Sequence, residues 1–199
     1  MNKVKYLSLF VLVLIMSAFI NDTVPKEFAQ LLVRSKLDFV MPDAFLPVKC
    51  ILNTQMDYDY ALKSPGKKFE IRYAIVPMDS ALVKYERRKK RGEKVDHPNK
   101  DSEPSYRATL LNIGMGGTSN MQLPKITYLD STTLKKEFHA DWGASAVVDL
   151  GSDFGQDYRY CLTMILHKDF TGDAYIFFLY DDKEDNVLAK EYFHTLKFK

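Results

Sequence analysis

Cysteine is scarce in this chain of 199 residues, which holds only two. That excludes a disulfide-framed miniprotein and a four-cysteine zinc site. Net charge is nearly absent: 28 basic and 26 acidic side chains leave +2, so no global basic field points to nucleic acid. Long apolar runs are confined to the first twenty residues, which excludes a multi-span membrane protein. Chemical signatures are missing as well. His97, His139, His167 and His194 form neither HExxH nor another metal-ligand spacing. His139 and Asp141 diverge if their segment is helical, and His167 and Asp169 flank a turn. No G-x-S-x-G elbow occurs. Gly114-Met115-Gly116-Gly117 lacks the Lys-Ser/Thr tail of a phosphate loop and reads as a helix stop. Cys161 sits in an apolar run, where a thiolate is disfavoured. The expectation is no catalytic residue, no metal and no cofactor, and the balance leans away from an enzyme.

What is present is ordinary globular material. Apolar residues make up 46% and charged residues 27%, which excludes a disordered or collagenous chain. The length suits one domain, since domains typically run about 100–200 residues.

The first twenty residues carry the clearest functional signal. Lys3 and Lys5 precede Tyr6–Ile20 (YLSLFVLVLIMSAFI), which has no charge. A basic start followed by an apolar stretch of about 7–15 residues is the secretory pattern. An uncleaved membrane anchor over residues 6–20 is the alternative, though a spanning helix usually needs roughly 20 apolar residues. Export places the remaining chain, residues 21–199, in the periplasm or outside the cell, with no stable membrane span once the signal is removed. Losing Lys3 and Lys5 leaves zero net charge, and so little steering toward phosphates or anionic membranes. In an oxidising compartment Cys50 and Cys161 can pair. The favoured reading is two buried thiols.

Periodicity outlines the elements. Val24–Ser35 predicts a helix with Pro25 in its first turn and Phe28, Leu31 and Leu32 on one face. Leu37–Met41 and Val48–Leu52 predict short strands. Met56–Lys63 and Lys68–Val76 alternate around Ser64-Pro65-Gly66-Lys67 and predict a β-hairpin. One of its faces carries Tyr58, Tyr60, Leu62, Phe69, Ile71, Tyr73 and Ile75. The other carries Asp57, Asp59, Lys63, Glu70 and Arg72, read as an exposed lattice in which Asp59 and Arg72 pair. A helix is predicted from near Asp79 into the basic block, followed by an exposed loop to Pro104. Further helices are expected over Tyr106–Ile113, Ser131–Trp142 (capped by Ser131 or Thr132 and closed by Gly143) and Lys183–Thr195. Ala144–Leu150 predicts a strand. Tyr158–His167 and Ala174–Tyr180 are apolar on both faces and predict central strands covered on two sides. The order implies an α+β fold with a mainly antiparallel sheet and helices on both faces.

Two surfaces stand out as candidate contacts. One is the basic block Arg87, Arg88, Lys89, Lys90 and Arg91 near 85–104, which suits an anionic partner or reads as a solvated helix end. The other is the polar and aromatic patch of Asp57, Tyr58, Asp59, Tyr60, Arg72 and Tyr73, which suits a pocket or contact surface or reads as ordinary packing.

The opening strand LDFVMP, the hairpin at Met56–Val76, the strand pair at Tyr158–Tyr180 and the terminal helix followed by LKF form a recognisable layout. It resembles the Mog/PsbP-like (DcrB-like) α/β/α sandwich. The phrases EIRYAIVP, FHADWG and DAYIFFLYDD are similar to those of uncharacterised secreted proteins of Bacteroidetes-type bacteria. Relatives of that fold mostly bind proteins, among them a Ran-binding nuclear factor and an extrinsic photosystem II subunit. The resemblance implies a non-enzymatic envelope protein that binds another protein. It supplies no functional motif, and fold alone does not give function. A small-ligand or lipid carrier is the alternative, and an unrecognised hydrolase ranks below it.

Overall fold

A computed structural model describes residues 24–98, 101–114 and 123–199. The predicted secretory segment 1–20, Asn99 and Lys100 of the predicted loop, and Gly116 and Gly117 of the predicted helix stop lie outside these.

The elements in chain order are α1 (Lys26–Arg34), β1 (Leu37–Phe39), β2 (Leu46–Val48), β3 (Tyr60–Lys63), β4 (Phe69–Pro77), α2 (Asp79–Lys90), α3 (Glu103–Gly114), β5 (Thr127–Tyr128), α4 (Ser131–Thr133), β6 (Trp142–Asp149), α5 (Ser152–Gly155), β7 (Tyr160–Lys168), β8 (Gly172–Tyr180), α6 (Asn186–Glu191) and β9 (Leu196–Phe198). Seven strands form one antiparallel sheet in the order β2-β3-β4-β8-β7-β6-β5, and β1 pairs with β9 apart from it. The fold is α+β, as the alternating apolar runs imply.

The predicted hairpin forms with Tyr60 opposite Tyr73 and Lys63 opposite Glu70. β7 and β8 sit inside the sheet, and nearly every residue of both is buried. Successive strand residues point to opposite sides, so the strands feed two separate clusters. Phe69, Ile71, Tyr73, Met164, Ile176 and Phe178 join Phe28 and Leu32 of α1, together with Leu196 and Phe198 of β9. Ala74, Cys161, Ile165, Phe177 and Leu179 join Tyr106, Leu110 and Ile113 of α3 and Phe154 of α5. Each large apolar side chain so buried stabilises the fold by about 1.5–3 kcal/mol before entropy is counted.

Several local expectations are corrected. The strand expected at Val48–Leu52 lies earlier, at Leu46–Val48. Asn53 bends the chain beyond it, its Oδ1 accepting from the Gln55 and Met56 amides. The helix expected over Ser131–Trp142 is one turn of α4 and a wide π-turn, Leu134–Phe138. Asp130, not Ser131 or Thr132, caps it by accepting from the Thr132 and Thr133 amides at 3.0 Å. His139, at φ 51°, ends it in the left-handed conformation. Trp142 therefore opens β6 opposite His167 rather than closing a helix. Gly143 lies inside that strand, where an added Cβ would meet Leu134 Cδ2 at 2.7 Å and the Ile165 carbonyl at 2.9 Å. Close packing, not helix termination, requires the glycine. The last predicted helix is broken into 3₁₀ turns at Lys183–Asp185 and Phe193–Thr195 on either side of α6.

Among the described residues, no helix is long and apolar enough to cross a membrane.

Candidate functional site

The helix expected from near Asp79 into the basic block forms, and it, rather than an exposed loop near 85–104, carries most of that block: Arg87, Arg88, Lys89 and Lys90 form the last turn of α2, and Arg91 follows it. Cations there face the negative end of the helix dipole. All five side chains are exposed, and α2 contains no buried residue over its 12 positions. Contacts near its ends and middle hold it. Asp79 accepts two bonds from Arg34 of α1, at 2.7 and 2.9 Å. That pair holds the Asp79 carboxyl near the bottom of the carboxylate range, at about 2. His97 packs edge-on against Tyr85 at 4.7 Å and Phe170 at 5.1 Å. Glu93 bonds Arg88 at 2.7 Å and Arg91 at 2.8 Å, and both arginines hold its carboxyl below the usual range. Among the described residues, that pairing leaves Arg87, Lys89 and Lys90 as the cations of the block outside an ion pair, with Lys89 Nζ 5.6 Å from the Tyr85 ring centre.

The polar and aromatic patch is divided by the sheet. Tyr60 and Tyr73 enter the α1 cluster, where the Tyr73 hydroxyl donates to Thr195 Oγ1 at 3.1 Å and burial pushes its pKa up. Tyr58 belongs to the opposite cluster, because the strand geometry that would keep it beside Tyr60 starts only at Tyr60. Asp57 is exposed. Asp59 does not pair with Arg72. Its carboxylate accepts from the Ile75 amide at 2.7 Å, and its pKa is raised, chiefly by desolvation.

Arg72 is fully buried instead of forming an exposed lattice. Its Nε donates to Glu70 Oε1 at 2.6 Å, Nη1 donates to the Phe154 carbonyl, and Nη2 has no hydrogen-bond partner among the described residues. The guanidinium lies between the rings of Tyr58, at 4.7 Å, and Phe154, at 4.9 Å. Polar bonds pin the surrounding segments. Tyr58 accepts from the Ile51 amide, Gln55 accepts from the Phe154 amide, and Asp153 accepts from Thr54. Beside this ion pair lies a hollow of about 240 Å³, lined by Lys49, Ile51, Lys63, Glu70, Asp157 and Tyr158 among others. Its one buried charge is Glu70. It can accept hydrogen bonds at the floor while lysines donate at the rim.

A third cluster escaped sequence reasoning. His167 Nδ1 lies 2.7 Å from Asp173 Oδ1 and 2.9 Å from Ser102 Oγ, and Nε2 lies 3.1 Å from Asp169 Oδ1. Ser102 Oγ also donates to Asp173 Oδ1 at 2.8 Å, so Ser102 and Asp173 share the Nδ1 side of the ring while Asp169 faces Nε2. Burial pulls the His167 pKa down, but the bonds to Asp173 and Asp169 outweigh it, and the net shift is upward. The His167 ring ties the start of α3 to the β7–β8 turn. The i, i+2 spacing of His167 and Asp169 was a faint local signal, whereas Ser102 lies 65 positions away. His139 engages not Asp141 but the Phe198 carbonyl, to which its Nδ1–H donates at 2.9 Å.

Both cysteines are free; Cys161 is buried and Cys50 half-buried. Burial raises both thiol pKa values. Among the described residues, no group of three or more His, Cys, Asp or Glu is placed to hold a metal ion.

Neither a protein-family model nor a curated protein matches this chain.

Proposed function

We propose that this chain is an exported, non-enzymatic module that binds another protein of the cell envelope through α2, on an α/β/α sandwich of the Mog/PsbP kind. The observation that carries the reading is the state of α2. Most helices of a globular domain bury an apolar stripe. This one has no fully buried residue, only Leu82 and Tyr85 half-buried, yet it is held at Arg34, Tyr85 and Glu93. A helix with no fully buried residue, held at its ends and middle and ending in Arg87, Lys89 and Lys90, offers preformed positive charge at little ordering cost to a partner. Acidic protein surfaces are its natural complement. The basic N-terminal run supports export. The near-zero charge elsewhere argues against nucleic acid. The two clusters, one including α1 and the other α3, support the sandwich.

The test is crosslinking in the native envelope, comparing the intact chain with a variant in which Arg87, Lys89 and Lys90 become glutamine. A reproducible partner lost from the variant supports the reading. No reproducible partner of either form overturns it.

The Glu70 hollow favours a second reading, a carrier of a small ligand. Native mass spectrometry of the purified protein tests it: a stoichiometric adduct that Glu70→Gln removes supports it, and a bare polypeptide mass counts against it.

A further inference from the structure

Two shallow hollows lie on α1 and α2. The first, about 420 Å³, is lined by Lys26, Ala29, Gln30, Val33 and Arg34. These are positions i, i+3, i+4, i+7 and i+8, a single face of α1. It lies away from Phe28 and Leu32, which are buried. The second, about 290 Å³, is lined by Asp79, Ser80, Val83, Lys84 and Arg87, again one helical face. Arg34 belongs to the first and Asp79 to the second, and the two-point bond between them joins the hollows.

The joined surface has a definite chemistry. Val33 is 73% exposed and Val83 52% exposed, so each stripe has an unburied β-branched residue. Four cations, Lys26, Arg34, Lys84 and Arg87, stand against one carboxylate, Asp79, which Arg34 already engages. The uncompensated charge is positive and surrounds apolar ground.

We infer that this α1–α2 face is a docking surface for an acidic amphipathic segment of the partner protein. Its apolar residues cover Val33 and Val83, and its carboxylates meet Lys26, Lys84 and Arg87. The inference rests on the protein-binding reading and refines it: the contact face is the Val83–Lys84–Arg87 side of α2 continued onto α1, not the whole basic block. Arg88 and Arg91, engaged by Glu93, lie outside it. The Arg34–Asp79 bond is a positioning contact that sets the two stripes in one register.

The test places a photo-crosslinking amino acid at Val33 or Val83 in the full chain, and at Leu52, 94% exposed, as a reference elsewhere. Crosslinked peptides are sequenced, and the captured partner segment is synthesised for binding titrations. Val33 and Val83 are expected to capture the same segment, rich in Asp and Glu on one side, while Leu52 does not. The double variant Lys84→Glu/Arg87→Glu should weaken the synthetic segment at least tenfold, and a segment with its carboxylates reversed to lysine should recover binding. Val33→Ser/Val83→Ser should weaken it severalfold with the melting temperature unchanged. A partner lost on neutralising Arg87, Lys89 and Lys90 but never crosslinked from Val33 or Val83 would overturn this inference while sparing the proposed function. Crosslinks from Val33 and Val83 to residues 1–23 of the same chain, or a captured segment without acidic residues, would also overturn it.

Discussion

Glu70 and Arg72, two positions apart on β4, point to the same side of the sheet and bond at 2.6 Å, with neither side chain more than a tenth exposed. Losing one member leaves the other charged and dry, at a cost of about 3–5 kcal/mol. Arg72→Met is therefore expected to lower urea-unfolding stability by that amount. Removing both charges together, as Glu70→Leu/Arg72→Met, should restore stability to within about 1 kcal/mol of the parent, because desolvation of the pair is then avoided. A double variant as unstable as the single one would show that shape, not charge, holds this region.

The His167 network predicts the sign of a pH effect. Its folded pKa is raised by Asp173 and Asp169 against the opposing pull of burial. The resulting stabilisation is fully present below the unfolded histidine value of about 6.5 and fades as pH rises through the folded value. Thermal unfolding scanned upward from pH 6 should show a downward step for the parent that His167→Gln lacks. An NMR titration should place the His167 midpoint above those of histidines in unfolded peptides, and Asp173→Asn should bring it down.

Gly172 sits opposite Pro77 on β4 and Lys168 on β7, at φ 151°. A Cβ there would lie 2.4 Å from the Val76 carbonyl oxygen and 3.2 Å from Pro77 Cα. Backbone atoms cannot swing aside as a side chain can. Gly172→Ala is expected to cost on the order of 2–4 kcal/mol in a denaturant titration, from overpacking together with an unfavourable backbone conformation.

Thiol chemistry separates the two cysteines. Burial lifts Cys161 far above neutral pH and raises the half-buried Cys50 less drastically. A thiol reagent at pH 7.5 should modify Cys50 slowly and spare Cys161 until urea is added, when two thiols react. Non-reducing electrophoresis should show no shift on reduction.

The face exposed on α2 should be energetically silent for folding. Surface substitutions without packing usually change stability by less than about 0.5 kcal/mol. Replacing Arg87, Lys89 and Lys90 with glutamine should leave the melting temperature within a degree or two while, on the proposed function, abolishing capture of a partner. Partner capture should also weaken with added salt, as exposed charge contacts do.

Much of the architecture was legible in the residues. The β3–β4 hairpin announced itself by two alternating runs about Pro65-Gly66, and β7 and β8 by continuous apolar stretches. What misled was the same alternation. Glu70 and Arg72 occupy the charged half of the period, and a sheet with one wet face would expose them. Here that side lies in the cluster of Tyr106 and Phe154, so the charges had to pair with each other and with an aromatic sandwich. The helix predicted to Trp142 failed for a related reason. Leu134, Phe138 and Trp142 fit helical spacing, but strand pairing of Trp142 with His167 outweighs one more helical turn. The His167 cluster joins residues 65 positions apart, and no local pattern records that.

β1 and β9 carry a consequence for how the protein is made. Leu37 meets Phe198 and Phe39 meets Leu196, so a strand from near the start of the domain waits for one from its far end. Phe28 of α1 and Phe198 belong to the same cluster. During synthesis α1 and β1 emerge long before their partner, and the α1 cluster stays open until residues 196–198 are clear of the ribosome. A chain truncated before Leu196 should thus present Phe28, Leu32 and Phe39 to chaperones, and one extended past Phe198 should be released from them.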